Sequence, residues 1–474
     1  MDETLAALPP LPDESALAEI RRHWQTSSAK VVVLDDDPTG TQTVHDTPVL
    51  TTWAVEDLVA ELQTEGNLFY ILTNSRALPE ADAVQLGREL GHNLWQATRR
   101  CDRPFRLISR SDSTLRGHYP SEVFATEEAL STASSGATPR SAVHVIAPFF
   151  LQGGRYTIDD VHYVAEGERL VPAAETPFAR DASFGFESSN LADWVCEKRR
   201  DYDPKLVHSV SIGELRSGRI DLVAKRLTSL SGGDTVIVNA AAIEDMHAFA
   251  AAALRAESRG QKFVYRTAAS FVQAYAGLAP QPLLSGETIA DSGARGGLIV
   301  VGSYVPKTSA QLACLLENGG NLKSIVLDVP TLLGDDGRRH IQQTIERVNA
   351  QLAMGHDVCL HTSRELILGD SPEQHLAIGT SVSGALVETV CGVEAPLRFL
   401  IAKGGITSSD VATKGLAVRR AMVMGQVLPG IPVWKLQNES RKPGLAYVVF
   451  PGNVGDDAAL KTVYEKLRSP AASV

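Results

Sequence analysis

Three consecutive carboxylates, Asp35, Asp36 and Asp37, close an apolar run and lead into a Pro38-Thr39-Gly40 turn. Adjacent carboxylates repel one another, so holding three together for structure alone is costly. A polyhydroxylated ligand, a metal-bound phosphate or a proton to be abstracted would each justify them. The blander reading is a solvated turn with a capping Asp. Two further polar clusters, Thr73-Asn74-Ser75-Arg76 and Ser109-Arg110-Ser111-Asp112-Ser113-Thr114-Leu115-Arg116-Gly117, also follow apolar runs. Arginine forks match planar carboxylates, while Asp, Ser and Thr match vicinal hydroxyls. That combination suits a sugar acid. Helix capping and internal ion pairs explain any one cluster about as well, but three coinciding clusters much less so. Gln152-Gly153-Gly154-Arg155-Tyr156-Thr157 repeats the pattern, with glycines that admit a ligand to the backbone and a further cation, Arg155.

The second half of the chain offers glycine turns instead of acids. Lys403-Gly404-Gly405-Ile406-Thr407-Ser408-Ser409-Asp410 reads as a strand end, a turn and a helix start, where exposed N–H groups suit phosphate. Gly302-Ser303 and Pro451-Gly452-Asn453 end two other apolar runs. Three such turns together point to a nucleotide, although no P-loop, dinucleotide fingerprint or protein-kinase motif is present. His162, His356 and His361 lack partners at ligand spacing, so no metal site built from protein alone is expected, and His162 reads as a packed side chain.

The elements that must position these residues alternate between strand and helix. In the first part, strands are expected at residues 31–34, 69–73, 105–108, 143–147 and 236–239, with helices at 81–98 and 243–258. β-Branched runs without polar alternation suit a parallel sheet covered on both faces, with ligands at its carboxyl edge. A second alternation has strands at 298–301, 325–329, 358–361, 399–402, 433–436 and 446–450 and helices at 309–317 and 339–354. Residues 276–296 read as a linker and 131–141 as a flexible loop. The expected fold is therefore α/β: two domains, residues 1–285 and 286–474, each a mostly parallel sheet flanked by helices, with the active site in the cleft between them. A chain of 474 residues is long enough for two cores. Its net charge of −11 argues against a general nucleic-acid partner. Five scattered cysteines fit a reducing compartment, and no apolar run spans a bilayer or resembles a signal peptide. A cytoplasmic enzyme without membrane or nucleic-acid partners is expected; whether copies associate is left open.

Asp36-Asp37-Pro38-Thr39-Gly40, Asn74-Ser75-Arg76, Asp112-Ser113-Thr114-Leu115-Arg116-Gly117, Gln152-Gly153-Gly154-Arg155-Tyr156-Thr157, Gly302-Ser303 and Gly404-Gly405-Ile406-Thr407 occur in this order along the chain. In this the chain resembles the four-carbon acid sugar kinase family from about residue 30 to 460, the Asp-Ser-Thr-Leu-Arg-Gly string being the most specific element. The resemblance implies an N-terminal sugar-acid-binding domain and a C-terminal ATP-binding domain. It also implies phosphorylation of an aldonate or oxo-aldonate such as threonate, erythronate or 3-oxo-tetronate, with ATP and Mg²⁺. On that reading Asp37 or Asp36 accepts the hydroxyl proton. Asp35, Thr39, Gly40, Arg76, Asp112, Ser113, Thr114, Arg116 and Arg155 bind substrate, and Arg116 and Arg76 anchor its carboxylate. Ser303, Gly404, Gly405, Ile406, Thr407 and Gly452 hold ATP. The chain departs from the family pattern at Pro38, at Ser109-Arg110, in the doubled glycine Gly153-Gly154 and at Ile406, which leaves the particular acid open. A non-catalytic sugar-acid sensor and a nucleotide-independent hydrolase or aldolase are the alternatives.

Overall fold

The computed structural model describes the chain except residues 136–141, 291–292, 295, 319–321, 365–366, 368–371 and 469–474. It forms two compact units: Met1–Thr43 with Thr52–Pro280, and Val44–Thr51 with Gln281–Val474. Up to residue 280 the strands are β1 (Lys30–Asp35), β2 (Thr47–Leu50), β3 (Leu68–Leu72), β4 (Phe105–Arg110), β5 (Val143–Ala147), β6 (Arg155–Ile158), β7 (Val161–Glu166), β8 (Arg169–Pro172), β9 (Val207–Val210), β10 (Thr235–Val238) and β11 (Phe263–Thr267).

In the first unit seven strands lie in the order β3-β1-β4-β11-β5-β10-β9, all parallel. Every residue of β1 is buried, as expected for Val31, Val32 and Val33 covered by helices on both faces. The chain steps to one side of β1 to make β3 and to the other to make β4, so the strand order reverses between β1 and β4. Open α/β sheets bind ligands at such a reversal, beyond the carboxyl ends of the strands. A separate antiparallel sheet, β6-β7-β8, was not foreseen from the sequence.

The second unit contains β12 (Gly296–Val301), β13 (Lys323–Leu327), β14 (Val358–Thr362), β15 (Leu397–Lys403), β16 (Arg420–Leu428), β17 (Ile431–Leu436) and β18 (Ala446–Phe450). Its order is β13-β14-β12-β15-β18-β17-β16-β2, parallel from β13 to β18 and antiparallel beyond. Here the order reverses between β12 and β15. Two expectations need correction. Residues 276–296 are not a free linker: the Leu284 amide donates to Gln426 O at 2.7 Å and Ser285 caps the short helix Gly286–Ile289. Of the loop expected at 131–141, residues 131–135 belong to the helix Ser121–Ser135, and 136–141 lie outside the described residues. Among the described residues no helix is long and apolar enough to cross a membrane.

Candidate functional site

The turns after β1, β3 and β4 meet at the carboxyl edge of the first sheet because their backbones are stitched together. The amides of Thr73 and Asn74 donate to Asp35 O at 2.9 and 3.3 Å, Arg76 N donates to Asp36 O at 3.2 Å, and Asp36 N donates to Arg110 O at 3.3 Å. Arg76 then forks onto Asp36, with Nη2 2.6 Å from Oδ1 and Nε 3.1 Å from Oδ2. Its Nη1 lies 3.5 Å from Asp37 and 3.7 Å from Asp112. Arg110 Nη1 lies 3.0 Å from Asp35 and 3.4 Å from Asp36. Arg116 Nε donates to Asp112 at 2.8 Å, and its Nη1 lies 3.6 Å from Asp181. Arg116 and Arg155 approach the same Phe178 ring, at 5.1 and 5.8 Å. Thr114 donates to Asp112, and Arg155 donates to the Gly153 carbonyl. Ser113 presents its backbone carbonyl to His162 Nε2 at 2.8 Å. The other nitrogen of His162 is 3.0 Å from the Thr157 hydroxyl, so this histidine packs the 112–117 loop. Gly40 is required by close approach: a Cβ there would sit 2.0 Å from Asp35 Oδ1.

The three acids are not equivalent. The Asp35 and Asp36 side chains are 2 % and 4 % exposed, against 20 % for Asp37. Burial pushes the Asp35 carboxyl up to about 7, against the pull of Arg110 and with Asp36 and Asp37 adding to the rise. Burial also acts on Asp37, but Arg76 and the Thr39 hydroxyl and amide outweigh it and hold the carboxyl below its ordinary value. Asp37 is thus the most accessible of the three and is held ionised, with Oδ1 accepting from Thr39 N at 2.9 Å. Asp112, although buried, is held far below the usual range by Arg76 and Arg116.

Two participants escaped the sequence reading. Glu122, in the helix Ser121–Ser135, accepts from Ser75 Oγ at 2.9 Å, and burial followed by Asp36 pushes it up to about 8. Arg266, in β11, is 1 % exposed and gives Nη2 to Arg116 O at 3.1 Å, while its Nε and Nη1 have no hydrogen-bond partner among the described residues. A charged residue inside Phe263-Val264-Tyr265-Arg266-Thr267 was the available signal. Glu122 yields an expectation. The folded protein retains a proton that the unfolded chain releases between the ordinary Glu value and about 8, so the stability it contributes declines as pH rises through that window. Glu122→Gln should match the parent near pH 5 and exceed it above pH 8 by about 1–3 kcal/mol in urea melts. Equal destabilisation at both pH values would contradict this.

In the second unit Gly302-Ser303, Gly404 and Gly452 follow β12, β15 and β18, three adjacent strands at and beside the reversal. The left-handed glycine is Gly404 (φ +114°), not Gly405, which is the first residue of the helix Gly405–Asp410. Gly404 N donates to Phe450 O at 2.8 Å, and a Cβ on Gly404 would meet that of Ser303 at 2.9 Å. Thr407 is buried and Ile406 is 61 % exposed. Among the described residues, the hydrogen-bond partners of three cations here are carbonyls and a hydroxyl. Lys307 Nζ donates to Gly455 O at 3.1 Å and Lys403 Nζ to Pro451 O at 2.5 Å. Arg364 Nη2 donates to Ser303 O at 2.6 Å and to Ser309 Oγ at 3.1 Å. Cations gathered at glycine turns are an arrangement that suits a phosphate. If this turn holds the nucleotide that the sequence leads one to expect, Gly404→Ala should weaken its binding about tenfold or more, since alanine resists this φ and crowds Ser303. Calorimetry with a non-hydrolysable ATP analogue measures it; unchanged affinity in a folded variant would remove this turn from the site.

Comparison with known proteins agrees with this division. Residues 31–275 match a family model described as a sugar-binding N-terminal domain, and residues 298–460 match one described as a nucleotide-binding C-terminal domain. Haemophilus influenzae HI1011, of the family DUF1537, has a similar fold, with TM-score 0.61 and 16 % identity over 92 % of this chain and 100 % of that one. A Salmonella typhimurium LT2 protein bearing a provisional tRNA synthase designation gives TM-score 0.65 and 16 % identity, over 92 % and 98 %. At that identity the likeness is one of fold. No functionally curated protein matches the chain.

Proposed function

Because the chain belongs to the family that joins a sugar-binding N-terminal domain to a nucleotide-binding C-terminal domain, the four-carbon acid sugar kinase architecture, we propose that it is an ATP-dependent kinase. Its acceptor is a terminal hydroxyl of a small sugar acid, an aldonate or oxo-aldonate such as threonate, erythronate or 3-oxo-tetronate. The observation that carries this reading is the contrast between two strand-end clusters. One crowds acids and arginines together, and the other gathers glycine turns with cations that, among the described residues, donate to backbone carbonyls.

In phosphoryl transfer the protein mainly positions the nucleophile and neutralises charge. Asp37 is the proposed acceptor of the hydroxyl proton, while Asp36, fixed by Arg76, fixes the geometry beside it. The Arg76 fork is occupied by Asp36, so Arg155 and Arg116, which approach the same Phe178 ring, are the proposed anchors of the substrate carboxylate, Arg116 with its Nε already on Asp112. Asp112, Ser113 and Thr114 are left to meet substrate hydroxyls. Ser303, Gly404 to Thr407 and Gly452 are the proposed nucleotide contacts. Mg²⁺ would be held chiefly by the nucleotide phosphates and water, supplying charge neutralisation. Among the described residues no three His, Cys, Asp or Glu side chains gather as a metal cage, and this role needs none. A cytoplasmic location accords with five cysteines that form no disulfide.

A panel of short sugar acids assayed by ADP release tests the proposal. Release that depends on one acid supports a kinase. Product without nucleotide would point to a hydrolase or aldolase, and acid binding without turnover to a sensor.

A further inference from the structure

The loop after β18 has its carbonyls pinned from below by side chains. Lys403 Nζ donates to Pro451 O at 2.5 Å and Gly452 O at 3.2 Å, and the Thr308 hydroxyl donates to Gly452 O at 3.0 Å. Gln311 Nε2 donates to Val454 O at 3.0 Å and Asp456 O at 2.7 Å, and Lys307 Nζ donates to Gly455 O at 3.1 Å. Lys403, Thr308 and Gln311 are fully buried. The amides of residues 452–457 donate to no acceptor among the described residues, and Asn453, Gly455, Asp456 and Asp457 are exposed. A run of amides left free while its carbonyls are occupied is the backbone arrangement that receives anionic oxygen.

Lys403 itself supplies a second, independent observation. It is a buried ionisable amine whose partners among the described residues are two neutral carbonyls and the Phe450 ring 4.1 Å away. The other charge bearing on it is Lys307, which is repulsive. Buried charges are ordinarily paired, and among the described residues no acid pairs with Lys403.

We propose that Lys403, with Thr308 and Gln311, positions the 451–456 loop so that its amides receive a phosphate group of the nucleotide, whose negative charge completes the environment of Lys403. This rests on the nucleotide-binding reading above and adds to it a positioning residue that the glycine turns alone did not reveal. Burial and Lys307 push Lys403 down to about 7 in the free protein. A phosphate nearby favours its charged form, so nucleotide binding at pH 8 should be accompanied by proton uptake.

The test is calorimetry of the full chain with a non-hydrolysable ATP analogue at pH 8, in two buffers of different ionisation enthalpy. The parent should bind with proton uptake. Lys403→Met should bind about tenfold or more weakly with that uptake lost, because a donor and a charge are both removed. Thr308→Val, nearly isosteric, should bind about threefold or more weakly with uptake retained, and it decides the matter if Lys403→Met does not fold. Parental affinity and uptake in Lys403→Met, or parental affinity in Thr308→Val, would overturn the inference while leaving nucleotide binding intact. A parent protein with no affinity for the analogue would overturn both.

Discussion

Asp37→Asn should lower turnover about 10²–10⁴-fold, the usual contribution of a positioned general base, while nucleotide affinity stays within a few-fold. Of the three adjacent acids, Asp37 alone is both solvent-accessible and held ionised, by Arg76 and by Thr39. Asp35 is buried, and Asp36 has both oxygens in the Arg76 fork. A carboxylate held below its ordinary pKa is a weak base. That is compatible with a loose phosphoryl-transfer transition state, in which positioning outweighs proton abstraction. Asparagine keeps the size and can still accept from the Thr39 amide, so the change reports on charge and basicity. Steady-state kinetics beside calorimetry separates the two effects. A variant retaining most of its turnover would remove Asp37 from this role and direct the same substitution to Asp36.

Arg76→Met should destabilise the fold by about 3–5 kcal/mol at pH 7.5, the range for leaving buried charge without its partner. Arg76 serves Asp36 directly and lies 3.5 and 3.7 Å from Asp37 and Asp112. Without it, the ion pair left to Asp36 among the described residues is that with Arg110 at 3.4 Å. Arg76 also lowers the Asp37 and Asp112 carboxyls. Their depressed pKa values contribute stability that is present above the unfolded-state values and lost as pH falls. Removing Arg76 removes that contribution, so the deficit should shrink when urea melts are repeated at low pH. A loss under about 1 kcal/mol at pH 7.5 would mean that the network behaves as a surface ion pair.

The strand ends were legible in the sequence because β-branched apolar runs followed by polar turns are local signals. β1, β4 and β18 lie where Val31-Val32-Val33, Phe105 and Tyr447-Val448-Val449 announce them. Thr47–Leu50 was not legible, because its place depends on antiparallel pairing with β16 more than 360 residues later. β16 itself alternates in exposure, but its residues, Arg-Ala-Met-Val-Met-Gly-Gln-Val-Leu, carry no matching polar alternation. At the site, residue types pointed to the acids, Arg76, Arg110 and Arg116, but not to how they pair. Arg116 meets Asp112 within its own loop, and Arg76 closes on Asp36 across two turns. Glu122, Arg266 and Lys403 stayed hidden for a common reason. Each is a charged residue on a buried face, where only the folded neighbours distinguish it from an ordinary surface side chain.

The most direct test of the central claim is ³¹P NMR of the full-length protein incubated with ATP, Mg²⁺ and the sugar acid that best promotes ADP release. The account predicts a new phosphomonoester resonance that grows in step with ADP, requires the acid, and is absent with Asp37→Asn. Inorganic phosphate as the sole phosphorus product, or an acid converted without any change in the nucleotide, would contradict it.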